Sequence, residues 1–232
     1  KMLTVPNGII LVTGATGSGK STTTYSMLQE LNNEERNIIT VEDPIEMNIE
    51  GVNQVQVNSD IGLTFANVLR SILRQDPNII LIGEIRDSET AQIAVRASIT
   101  GHLVLSTIHT NNSLSTIERL LDMDVERYLL SSALEGIVSQ KLARRLCTHC
   151  RKLRPTTPYE KKIFKSVLNK DVPEIWDTDK CEYCSNGYHG RIAIQEVLLI
   201  DEEIRDVLSN EHLKKEDLRQ MVYGENHVIT LL

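Results

Sequence analysis

Four short runs of consecutive, mostly β-branched apolar residues punctuate the first half of the chain: Ile9-Ile10-Leu11-Val12, Ile38-Ile39-Thr40-Val41, Ile79-Ile80-Leu81-Ile82 and Leu103-Val104-Leu105-Ser106. Each reads as a buried strand, because runs of this length with no alternation suit a sheet interior. The stretches between them carry helical spacing instead. Tyr25, Leu28 and Leu31 recur within residues 21–31, which contain no Gly or Pro, before Asn32-Asn33 ends the pattern. Phe65, Leu69, Ile72 and Leu73 mark one face of a second helix, with Arg70 and Arg74 elsewhere on it, and Asp76-Pro77-Asn78 stops it. Asp87-Ser88 caps a third that runs to Ile99, with Gly101 as its stop. Asn7-Gly8 is a turn into the first strand, and 52–57 alternates weakly as an edge strand.

Further along, 113–122 and 126–142 read as two more helices, the second with a basic end at Lys141, Arg144 and Arg145 that suits the helix dipole. A short helix is expected near 161–168, a strand over 192–200, and the start of a small helical tail at 201–210. There is no internal repeat and no low-complexity segment. Strands alternating with helices predict an α/β fold.

The stretch between the first strand and the first helix is Gly14-Ala15-Thr16-Gly17-Ser18-Gly19-Lys20-Ser21, followed by Thr22. It fits the phosphate-loop template and has the strand–loop–helix context that template needs. Glycines let several N–H groups point inward, and the helix N-terminus adds positive potential. Lys20 is placed to reach the β- and γ-phosphates, and the Ser21 hydroxyl to help hold Mg²⁺. A bound nucleoside triphosphate is the expectation, and a chance glycine-rich turn the bland alternative.

Three later clusters sit where strands end. Glu42-Asp43-Pro44-Ile45-Glu46 follows the second strand, at the edge where open α/β sheets bind ligands. It reads equally as metal and water chemistry or as a solvated acidic turn. Gly83-Glu84 ends the most apolar strand, and a carboxylate there can approach Mg²⁺ directly or through water. Such strands more often end in Asp, and here the equivalent position is Gly83. His102 and His109 bracket the fourth strand, and a Ser/Thr/His/Asn cluster beside a γ-phosphate can sense it through changed hydrogen bonds.

With 232 residues the chain exceeds a typical single domain, so a large domain with an appendage is expected. Apolar residues are 41%, charged 25% and aromatic only 4%, leaving the core to Ile, Leu and Val. The net charge of −7 argues against a general nucleic-acid binder. No run approaches the roughly 20 apolar residues of a membrane span, and the start lacks signal-peptide features, so a cytoplasmic location is expected. The first strand begins almost at residue 1, as in a piece excised from a longer protein.

The chain's four cysteines, Cys147, Cys150, Cys181 and Cys184, form two Cys-x-x-Cys pairs separated by 30 residues. Two such pairs complete a tetrahedral thiolate shell for Zn²⁺ and leave no open position, so the site reads as structural. Disulfides or a redox pair are the alternatives. His149 and His189 lie nearby but are not needed as ligands. The intervening segment reads as a loop or small subdomain of its own, and 187–191 as a turn-rich hinge.

These motifs resemble the secretion ATPases of type II secretion and type IV pilus systems, the GspE/PulE/PilB group. The likeness takes in GATGSGKSTT at 14–23, ITVEDPIE at 39–46, LRSILRQDPNIILIGEIRD at 69–87, ETAQIAVRASITGHLVLSTIHTN at 89–111, LCTHC at 146–150 and GYHGR at 187–191. The resemblance implies a RecA-like core (1–142), a tetracysteine zinc segment (143–191) and a small, mainly helical C-terminal domain (192–232). By the same resemblance Glu46 is the general base, Glu84 the Walker-B acid near Mg²⁺, and His102 and His109 the phosphate sensors. Gly83-Glu84 becomes the normal ending of that strand. It further implies Mg-dependent ATP hydrolysis in a homo-hexamer, with an upstream domain lending arginines to the neighbouring subunit. Such a ring works on inner-membrane platform and adaptor proteins, so membrane association is peripheral and no nucleic acid is bound directly. Arg70, Arg74 and Arg86 match family positions, without an assignment as arginine fingers. The tetracysteine module implies a secretion or assembly motor rather than a retraction motor. A RecA-like DNA translocase and a nucleotide-dependent binding module with little hydrolysis are the rival readings.

Overall fold

The structure is a computed structural model that describes residues 2–212, 215–224 and 228. The chain opens with strand β1 (Gly8–Thr13), helix α1 (Lys20–Leu31), β2 (Ile38–Glu42), edge strand β3 (Asn53–Gln56) and α2 (Phe65–Ile72). It continues through β4 (Ile79–Ile82), α3 (Ser88–Ile99), β5 (Leu103–Ile108), α4 (Ser113–Asp122), α5 (Arg127–Ala133) and the long β6 (Leu134–Leu146). Next come β7 (Lys152–Pro155), α6 (Pro158–Leu168), β8 (Glu174–Asp177), β9 (Tyr188–Leu199), α7 (Glu202–Ser209) and α8 (Lys215–Gly224). Part of the anticipated tail falls on residues 213–214, 225–227 and 229–232, outside the described residues.

Two compact units emerge, one of residues 1–141 with 194–232, the other of 142–193. In the first, β3-β2-β4-β5-β1-β6-β9 form a seven-stranded sheet. The pairs β3–β2, β2–β4, β4–β5, β5–β1 and β1–β6 are all parallel. Parallel strands need both faces covered, and this dictates their continuous apolar runs. Alternate side chains serve opposite faces. Ile10, Ile38, Leu81 and Leu105 pack with Tyr25, Leu28 and Leu31 of α1. Leu11, Val41, Ile80, Ile82 and Val104 pack on the other face with α2, α3, α4 and α5, joined by Ile204 and Leu208 of α7.

Local signals account for the helix starts. Thr64, Asp87, Asn112 and Asp201 each accept a hydrogen bond from a backbone N–H of the helix they precede, satisfying a donor the helix cannot satisfy itself.

Two sequence expectations need correction. The helix expected over 126–142 is short, ending at Ala133, and Leu134 starts a strand beside β1. The run Leu134-Glu135-Gly136-Ile137-Val138 carries no strict apolar–polar alternation, and without it periodicity does not separate a helix from a strand. The basic residues 141, 144 and 145 therefore lie on a strand and complement no helix dipole. The segment after 192 does not stand apart as a domain of its own: β9 joins the main sheet, and residues 194–232 group with 1–141.

The second unit is built differently. β7 and β8 pair antiparallel around α6. Thr157 and Glu160 form a capping box at the start of α6, and no α6 residue is buried. Arg154 donates to both Glu160 oxygens at 2.8 and 2.7 Å and to Asp177 at 2.5 Å.

Candidate nucleotide site and metal centre

The loop after β1 curls into the N-terminus of α1. A Cβ on Gly14 would lie 2.3 Å from the Gln140 carbonyl oxygen, so no larger residue fits there. Gly19 caps α1 in the left-handed region with no side chain covering the helix end. The first helical amide to find a partner is Thr23 N–H, on Gly19 O, leaving those of Lys20, Ser21 and Thr22 without helical acceptors. Ser18 Oγ is buried with no hydrogen-bond partner. Orphan donors and positive potential at one helix N-terminus suit an anion such as phosphate.

Lys20 is buried, and its ammonium donates to the carbonyls of Gly14 at 2.9 Å and Ala15 at 3.2 Å. Burial lowers its pKa, and the negative charge of Glu84 partly offsets that. Glu84 lies at the tip of β4 with Arg86 bonded to it and His109 Nε2 at 3.3 Å from its other oxygen. The acid after the most apolar strand therefore faces the phosphate loop. Ser21 Oγ donates to Glu46 Oε1 at 3.2 Å, which brings the β2 acidic loop to the same place.

Glu42 and Glu46 are not equivalent. Glu42 is buried and accepts from Tyr25 Oη, from Thr40 Oγ1 at 2.5 Å and from Gln54 Nε2 at 3.0 Å. Its oxygens are committed inside the protein, whereas Glu46 stands at the surface beside Ser21.

His102 does not join this group. β1 and β5 run in register from Gly8 opposite Leu103 to Thr13 opposite Ile108, and the phosphate loop follows Thr13. His109 therefore stands at the loop end of β5 and His102 at the other end, roughly 20 Å away at ~3.3 Å per residue. There Gly8 N–H donates to the His102 carbonyl at 3.2 Å, and its ring Nδ1 lies 3.0 Å from Ala97 O. Within this chain, then, His109 and not His102 is brought to the phosphate loop. A residue before a strand and one after it occupy opposite sheet edges. Arg70 is engaged with Glu89 at the surface.

Gln140, which sequence reading placed on a helix, anchors the loop. From β6 its Nε2 donates to Ser18 O at 2.7 Å, and its Oε1 accepts from Thr23 Oγ1 at 2.7 Å and Gln195 Nε2 at 2.8 Å. Its neighbours Ser139 and Lys141 are polar too, so nothing local in the sequence singles it out.

In the second unit the sulfurs of Cys147, Cys150, Cys181 and Cys184 lie within 4.8 Å of one another. Sulfur–sulfur distances are 3.8 Å (147–181), 3.7 Å (150–184) and 3.6 Å (181–184). A tetrahedron with Zn–S near 2.3 Å has edges of about 3.8 Å, so the spacing fits zinc, and it is far too long for disulfides at about 2.05 Å. Backbone hydrogen bonding at Cys181 pulls the Cys184 thiol down to about 7. Desolvation, reinforced by the partner sulfurs, pushes Cys150 up to about 12. His149 instead stacks near Tyr183, with ring centroids 5.0 Å apart, and no histidine joins the sulfur cluster among the described residues.

A phosphate loop at the edge of a parallel sheet, faced by acids from two neighbouring strand tips, is the arrangement of a P-loop NTPase. Residues 1–230 match the family described as "Type II/IV secretion system protein", and the chain belongs to that family. It is 50% identical over 212 residues to the "Type II secretion system ATPase E" of Vibrio cholerae, covering 91% of this chain and 42% of that one. To the "Type II secretion system protein E" of Aeromonas hydrophila it is 52% identical over 209 residues, 90% of this chain and 42% of that one. The chain thus spans less than half the length of these relatives. Among solved structures, the pilus retraction motor PilT with bound ADP superposes with a TM-score of 0.70 at 33% identity, covering 99% of this chain and 61% of that one. The Legionella pneumophila ATPase DotB gives 0.67 at 26% identity, with 97% and 54% covered. No helix among the described residues is long and apolar enough to cross a membrane.

Proposed function

We propose that this chain carries the Mg-dependent ATP-hydrolysing part of a type II secretion or pilus-assembly motor. The observation that carries the reading is the Ser21–Glu46 hydrogen bond of 3.2 Å, which seats an otherwise uncommitted carboxylate against the phosphate loop. Loop amides of residues 14–22 and the Lys20 ammonium bind the phosphates and stabilise charge on the transferring group. Glu46 orients the attacking water and accepts its proton. Ser21 and Glu84 are the groups suited to hold magnesium, which supplies charge neutralisation at the phosphates. His109, touching Glu84, is placed to register the γ-phosphate. The four thiolates hold one structural zinc.

Relatives at about half identity bear type II secretion names, which supports a secretion client and, through it, a ring of six subunits acting on inner-membrane platform and adaptor proteins from the cytoplasmic face. The net charge of −7 weighs against a DNA translocase. Lys20→Ala in the full-length protein tests the reading. Loss of ATP binding is expected, with turnover reduced by at least about 100-fold. Turnover near wild type overturns the phosphate-loop assignment.

A further inference from the structure

The acidic loop after β2 is tied to α1 at two points, and only one involves a residue of the phosphate loop. Ser21 and Tyr25 are four residues apart on α1 and so share one helix face. Ser21 Oγ holds the Glu46 carboxylate, while the Tyr25 hydroxyl accepts from the Glu46 backbone N–H at 3.1 Å. That hydroxyl has its own hydrogen committed to buried Glu42, whose other oxygen is fixed by Thr40 and Gln54. Tyr25 is 6% exposed and its ring belongs to the apolar cluster under α1, so its oxygen is a fixed point rather than a mobile one.

The polarity of this arrangement matters. A hydroxyl that gives its hydrogen to a carboxylate becomes a better acceptor, because chained hydrogen bonds polarise one another. Glu42 thus orients the Tyr25 hydroxyl, and the hydroxyl in turn holds the Glu46 main chain where its side chain meets Ser21. A phenylalanine in the same place keeps the packing and loses the tether.

We propose that Tyr25, backed by Glu42, is a positioning residue that sets the placement of the Glu46 carboxylate over the phosphate loop. This rests on the assignment of Glu46 as the base that orients water. Small displacements of such a group cost rate far more than affinity, because the nucleotide itself is held by the loop and Lys20.

The experiment compares wild type, Tyr25→Phe, Glu42→Gln, Glu46→Gln and Tyr25→Phe/Glu46→Gln in the full-length protein. Single-turnover ATP hydrolysis, ATP dissociation constant and thermal midpoint are measured for each. Tyr25→Phe is expected to lower the hydrolysis rate about 10- to 100-fold while the ATP dissociation constant stays within about threefold. Glu42→Gln, which leaves the tyrosine in place, is expected to lower the rate in the same direction. The double variant is expected to hydrolyse no more slowly than Glu46→Gln alone, since a tether has nothing to position once the base is gone. A merely structural role would instead weaken ATP binding and lower the thermal midpoint together. Unchanged hydrolysis in either Tyr25→Phe or Glu42→Gln overturns the proposal, as does a double variant slower than Glu46→Gln by the full Tyr25→Phe factor. Full activity of Glu46→Gln is a separate failure, which removes the base assignment and the tether's purpose with it.

Discussion

The two units of this chain solve the problem of stability by opposite means. The sheet-bearing unit buries every residue of its strands β2, β4, β5 and β1, and its polar site is confined to strand tips where apolar packing ends. Within residues 142–193 the only apolar side chain in the buried set is Cys147, a metal-type ligand, while Leu153, Ile163, Val167 and Leu168 are exposed. Small modules with so little buried surface need a staple, and the sulfur cluster is the one available. In the proposed reading, one unit is stable through burial and uses its edge for chemistry, while the other relies on its four thiolates for a metal staple.

The sharpest way to break that contrast is to remove the zinc proposed for the four thiolates. Chelation, or Cys181→Ser, is expected to unfold the second unit while the first still binds ATP. The chain's one tryptophan, Trp176, lies in the second unit under the Arg151 guanidinium at 4.3 Å, so its fluorescence reports the loss directly. An unchanged tryptophan spectrum with no zinc in the protein would remove the difference between the units. The next largest effect lies in the apolar core. Leu11→Ala, at a fully buried position of β1, should cost about 2–5 kcal/mol in denaturant unfolding. Ile163→Ala on exposed α6 should fall within about 0.5 kcal/mol of wild type. Comparable losses at the two positions would place a core where none is seen.

The smallest effect is electrostatic. Hydrogen bonds from Arg154 hold the Glu160 carboxyl down at about 2. A depressed acid contributes stability that is complete above its unfolded value and fades as pH falls toward the folded one. The Arg154–Glu160 clip should therefore weaken between about pH 4.5 and 2, and Glu160→Gln should flatten that part of an acid titration followed through Trp176. Both groups are accessible to solvent, so the change is modest.

Much of the fold was legible because local signals and global pattern agreed. The phosphate loop needed a strand before it and a helix after it, and both are there. Asp87 was readable as a cap and accepts the expected amide hydrogen. What was not legible had physical reasons. β6 lacks the alternation that distinguishes a strand, so Gln140 and its three hydrogen bonds to loop, helix and β9 stayed hidden. Tyr25 was visible as an apolar helix-face residue, but spacing says nothing about where a hydroxyl ends up. His102 and His109 look alike in sequence, and only the direction of β5 separates them. The acidic loop reads equally as site or solvated turn in the sequence, because spacing does not show that Ser21 and Glu46 come within hydrogen-bond distance.

The central claim is that Glu46 works on water while the phosphate loop works on ATP. The most direct measurement is the identity of the nucleotide retained by full-length Glu46→Gln after exposure to Mg-ATP and rapid removal of free ligand. The account predicts retained ATP, at an affinity close to wild type. Retained ADP, formed at the wild-type rate, would contradict it.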